Sequence, residues 1–163
     1  MHMTDALMET AKQSVESIRR KLPPDGDWVP TMIVADSDDE VTIVGVPPAG
    51  GSDLEREVLW QSVVPSLLVK VKAREVVIVM TAWFLKAKEG ESLSEDERPS
   101  ESPNRVECLV LTHVTRDAVA LEMATIVRRP KRPPQLVWDE EPAAFDNLGG
   151  RVIEALRRGL LEA

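Results

Sequence analysis

Hydrophobic and polar residues divide the chain into stretches of two different periods. From Thr4 to Leu22, the apolar positions Leu7, Ala11, Val15, Ile18 and Leu22 recur at steps of three and four. That spacing predicts a helix with one apolar stripe, and Pro23-Pro24 ends it. Thr4 and Asp5 suit the start of such a helix, and Arg19, Arg20 and Lys21 suit its end. From Trp28 to Ala35 and from Glu40 to Val46 the period falls to two, around the acidic turn Asp36–Asp39. Pairing Val34 with Val41 and Met32 with Ile43 puts apolar residues on one face of the predicted hairpin.

A second helix is expected after the Pro47–Gly51 turn, with Ser52 and Glu55 forming a capping box. Leu54, Val58, Trp60, Val63, Val64, Leu67 and Leu68 give it a wide apolar band. Pro65 lies inside it and predicts a kink, or two short helices meeting there. Arg74–Glu89 and Asn104–Arg129 then alternate as strands, often apolar on both faces. Between them, Gly90–Pro103 is acidic and rich in Ser and Pro, the composition of a mobile loop.

The second of these stretches folds back on itself at Arg116-Asp117. Setting Thr115 opposite Ala118 pairs Val114 with Val119, Thr112 with Leu121 and Val110 with Met123, all on one face. The other face pairs His113 with Ala120 and Leu111 with Glu122. Pro130–Pro134, with Lys131 and Arg132, cannot continue a strand and reads as a stiff basic connector. Phe145, Leu148, Val152, Leu156 and Leu160 give the stripe of a last helix, interrupted by Gly149-Gly150.

These elements predict a single α+β domain over residues 1–163, in the order α-β-β-α-β-β-β-α. Its five-stranded antiparallel sheet carries helices packed on its faces. The order resembles the helix–hairpin–helix–meander–helix plan of the roadblock and profilin-like folds. The resemblance is one of topology and carries no site residue with it.

Charge and composition narrow the function. The net charge of −8 and the absence of tyrosine disfavour a nucleic-acid footprint. No apolar run reaches the ~20 residues needed to span a bilayer, and the first residues lack a signal-peptide pattern, so a cytoplasmic location is expected. The one cysteine, Cys108, forms no internal disulfide and no cysteine-based zinc site. Five residues separate it from His113, which puts the two on opposite faces of one strand and excludes a nucleophile pair. The acidic run from Asp36 lacks the glycine and the terminal glutamate of a calcium loop. Neither cofactor nor metal is expected.

The remaining candidates are few. His113, Glu122 and Glu107 form the expected ligand-binding set, with Glu122 as the diagonal neighbour of His113. Arg128, Arg129 and Trp138 form the expected partner-binding set. With no catalytic constellation in the sequence, the leading expectation is a non-enzymatic binding or assembly protein acting as a homodimer. The alternative is an enzyme or small-ligand module with its pocket near His113.

Overall fold

The computed structural model describes residues 3–46, 53–85, 105–139, 143–145 and 151–163. Helix α1 (Met3–Arg19) leads to strands β1 (Thr31–Asp36) and β2 (Val41–Gly45). A helical body follows, made of α2 (Asp53–Val58), a π-helical turn (Leu59–Val63) and α3 (Val64–Lys70). Strands β3 (Ala73–Leu85), β4 (Arg105–Val114), β5 (Val119–Val127), β6 (Gln135–Trp138) and β7 (Ala143–Phe145) precede helix α4 (Arg151–Glu162).

The architecture is α+β with an antiparallel sheet, but the sheet is not five-stranded. Six strands lie in the order β2-β1-β3-β4-β5-β6, and β7 also pairs with β5. The two additional strands come from the region read as a connector and a helix. Pro130–Pro134 does interrupt the strand, yet it turns the chain through Lys131, at φ 59°, into β6. Phe145, assigned by its spacing to the last helix, pairs with Val119 in β7. Residues 90–103, the capping box at Ser52, and Leu148 lie outside the described residues.

The β4–β5 hairpin has the expected register, with Val114 opposite Val119 and Val110 opposite Met123. Thr115 N–H donates to Ala118 O at 2.9 Å, and Thr115 Oγ1 accepts from the Ala118 amide at 3.0 Å. The β1–β2 hairpin is shifted by one residue from the expected pairing, so that Ala35 faces Val41 and Ile33 faces Ile43. Turn chemistry accounts for the shift. Asp36 Oδ1 accepts from the amides of Asp38 and Glu40, and Asp39 adopts φ 63°. The result is a three-residue turn ending in a left-handed residue, rather than a four-residue loop.

Both faces of the sheet are covered by the chain's own helices. On one face, Leu7, Met8, Ala11 and Val15 of α1 pack on Ile33, Val77, Val79, Leu109, Leu111 and Ala124. On the other, Trp60, Val64, Leu68, Leu156 and Leu160 pack on Met32, Val34, Val76, Ile78, Val114 and Val119. Strand residues of β3 and β4 therefore bury alternate side chains into two separate cores, which is why they are apolar in both phases. No described helix is long and apolar enough to cross a membrane.

Pro65 does not break its helix; the helix widens before it. Val64 N–H reaches back five residues to Leu59 O, and proline sits in the first turn of α3, where its missing N–H costs least. Arg158 Nη2 of α4 donates to Gln61 O in the widened turn. The two helices touch closely at Gly159, where an added methyl would sit 2.8 Å from Leu68 Cδ1 and 3.0 Å from Pro65 Cα. Gly159→Ala is therefore expected to lower the melting temperature. Overpacking costs about 1–3 kcal/mol, against a helix-propensity gain of about 1 kcal/mol. Thermal unfolding followed by circular dichroism checks this, and a more stable variant would contradict the close approach.

Candidate functional site

The α1 face of the sheet holds two buried ionisable residues in what is otherwise an apolar layer. Glu75 is 4% exposed and His113 is 5% exposed. Their positions follow from strand register: Val77 lies opposite His113, so Glu75, two residues earlier on β3, is its diagonal neighbour on the same face. His113 Nε2 stands 3.3 Å from Glu75 Oε1. The expected partner of His113 was Glu122 on β5, the strand on its other side. Glu122 instead forms an ion pair with Lys12 of α1.

Glu75 also meets Arg74, whose Nε lies 3.7 Å from Glu75 Oε2. Arg74 Nη1 continues to Asp39 Oδ1 at the β1–β2 turn. A line of polar groups thus runs from the buried imidazole, through the carboxylate and the guanidinium, to the surface aspartate. The irregularity between Ala35 and Asp36, where β1 shifts its register on β3, lies beside Arg74 and Glu75 in this line.

A cleft of about 310 Å³ opens against these residues. Ala6, Leu7 and Thr10 of α1 form one wall, and Ala35 and Val41 of the hairpin form the other. Asp39, Arg74 and Glu75 supply the polar part of its lining. Thr10 Oγ1, the one hydroxyl among the described lining residues, donates to Ala6 O at 3.0 Å. Glu75 Oε1 is buried and accepts no hydrogen bond. A buried polar group without a hydrogen bond is costly.

The structure places the other expected site residues in separate clusters. Glu107 shares the face and strand of His113, but six residues along a strand put them about 20 Å apart. Glu107 makes a two-toothed contact with Arg128, at 3.0 Å to Nε and 2.9 Å to Nη2. Arg128 also binds Asp27 and the carbonyls of Pro24 and Gly26. The hydrogen bonds from Glu107 hold its pKa above the ordinary arginine value, Asp27 adds to this, and partial burial opposes it. Arg128 is therefore the centre of a clamp on the 24–27 loop, with its charge balanced by two acids. Arg129 Nη2 donates to Pro133 O at 3.0 Å and braces the β5–β6 turn. Trp138 lies under the Lys12 ammonium, 5.1 Å from its ring centre.

Two further residues of the sheet find their place here. Cys108 is buried on the face opposite to His113, as strand alternation requires. Trp83, although it stands in the apolar strand β3, is 42% exposed, and the Arg105 guanidinium stacks 4.7 Å from its ring centre. Among the described residues, no group of three or more metal-ligating side chains comes together.

Glu75 and Arg74 were not singled out from sequence. A signal was present, because Glu75 falls in the same alternate phase as Val77 and Val79, which are both buried. No protein-family model, curated protein or solved structure matches this chain.

Proposed function

We propose that the chain is a small-ligand-binding protein whose site is the cleft between α1 and the β1–β2 hairpin. One observation carries this reading: a buried carboxylate, Glu75, lines a cleft whose remaining wall is apolar apart from Thr10, Asp39 and Arg74. Ligand sites are built this way, mostly apolar with a few placed polar groups, and 310 Å³ lies at the small end of their range. The absence of a free hydroxyl, thiol or amine among the described lining residues favours binding over covalent catalysis.

The test is a ¹H–¹⁵N correlation titration with a library of small amines, acids and alcohols. Shifts are expected at the amides of Ala6, Thr10, Ala35, Val41 and Glu75. The variant Val41→Trp, at a half-exposed strand position, is expected to remove them by filling the cleft. Responses confined to the surface around Trp83 and Arg128, or none at all, would overturn the proposal.

A second reading, assembly into a homodimer, has its own support. The covered sheet faces do not call for a partner, but the outer edge of β2 is Val41-Thr42-Ile43-Val44-Gly45, without charge or proline. Val41 is 46% and Ile43 is 56% exposed. Edge strands ordinarily carry a charge, a bulge or a proline that blocks pairing with another chain. Sedimentation velocity at tens of micromolar decides it: a dimer dissociated by Ile43→Lys supports the reading, and a monomeric parent protein ends it.

A further inference from the structure

We infer that β2 pairs with its own copy: a second chain adds its β2 antiparallel to this one, with Ile43 facing Ile43 across a twofold axis. This rests on the homodimer reading and adds the direction and register of the contact. Backbone bonds at both ends of β2 fix which residues face outward. Asp36 N–H donates to Glu40 O at 3.0 Å, and Val46 N–H donates to Pro30 O at 2.9 Å. In an antiparallel ladder such bonds fall on alternate residues, so Thr42 and Val44 also direct theirs to β1. Val41, Ile43 and Gly45 turn their amides and carbonyls to the other side, where the strand order ends among the described residues. The opposite edge strand, β6, is four residues long and follows Pro133-Pro134, which discourages pairing there.

Three outward residues centred on Ile43 match themselves when the strand is turned round. Ile43 faces Ile43, Val41 faces Gly45 and Gly45 faces Val41, and each facing pair exchanges two hydrogen bonds. Every outward group of β2 is then used. Charge selects the same direction. Asp36, Asp38, Asp39 and Glu40 stand at one end of β2, and Val41–Gly45 carries no charge. In the antiparallel pair the two Glu40 residues lie six strand positions apart, about 20 Å, well beyond the screening length of about 8 Å at physiological salt. A parallel partner would set the two acidic turns side by side, where like charges repel. The side chains agree. Val41 and Ile43, about half exposed, share the α1 face, opposite Ala35 and Ile33, and the two copies cover them mutually. A Cβ added at Gly45 meets nothing within 4 Å, which leaves room for the Val41 set across from it.

Cysteine cross-linking of the full chain reads the register, with Cys108→Ala in the background so that no other thiol takes part. Facing residues of a hydrogen-bonded pair lie about 5.5 Å apart between Cα atoms, within disulfide reach. Ile43→Cys is expected to cross-link to itself under mild oxidation. Two Val41 residues lie four strand positions apart in this register, about 14 Å, and so do two Gly45 residues. Val41→Cys and Gly45→Cys are each expected to stay single alone and to join when mixed, as a non-reducing gel shows. The unmodified protein gives an independent measurement. At a concentration where sedimentation shows a dimer, the amides of Val41, Ile43 and Gly45 are expected to exchange as slowly as those of Thr42 and Val44. A dimer whose Val41→Cys chains cross-link to themselves, or whose three outward amides exchange freely, overturns the pairing and leaves the dimer to another surface. A monomer overturns the homodimer reading as well.

Discussion

Replacing His113 by alanine is expected to lower the unfolding free energy by about 1–3 kcal/mol, the cost of leaving a buried polar group with fewer neighbours to serve it. Glu75 would keep only Arg74, at 3.7 Å, against a layer of Val, Leu and Ile side chains. Urea denaturation measures the change. The informative companion is the double variant Glu75→Leu/His113→Leu. Replacing a buried pair by apolar residues of similar size is often neutral or stabilising, so most of the loss should return. A His113→Ala loss below about 1 kcal/mol would mean that the pair is not coupled as its geometry indicates. Full recovery in the double variant would show that this layer of the fold does not need the carboxylate, which leaves ligand binding as the reason for its presence.

The second large effect concerns the two cores. Leu111 packs under α1 and Leu156 packs between α3 and the opposite sheet face, each completely buried. Leu111→Ala and Leu156→Ala are each expected to cost about 2–5 kcal/mol, through lost burial and the cavity left behind. The sheet separates the two sites, which share no partner, so their effects should add to within about 0.5 kcal/mol. Chemical denaturation of both single variants and the double variant checks this. A double variant no worse than the poorer single variant would show that one helical layer already fails to hold when the other is intact.

How far the sequence led depended on which neighbour each residue was compared with. The β4–β5 register was legible because two apolar strands flank a two-residue tip, leaving one pairing that keeps the apolar residues together. The β1–β2 register was not, because apolar residues occur in both phases of both strands. The decision fell instead to Asp36, whose side chain caps the turn, and to Asp39 in its left-handed conformation. Strands β6 and β7 were hidden by length: four and three residues show no period, and prolines surround the first. His113 was compared with β5 alone. As a central strand, β4 has a second neighbour, and β3 supplies Glu75. The cleft draws on α1, the hairpin and β3 together, a juxtaposition that no local pattern encodes.

The stitch from Arg158 to Gln61 links residues 97 positions apart in the chain. While α4 is undocked, the widened turn at Leu59–Val63 lacks the arginine that donates to its Gln61 carbonyl, so the interruption before Pro65 is least stable then. Amides of 59–70 and 151–162 should consequently gain protection from hydrogen exchange as one cooperative unit, opening and closing together. The earliest stable kernel of this half of the molecule is then a helix pair formed across more than half of the chain, and folding there must wait for α4.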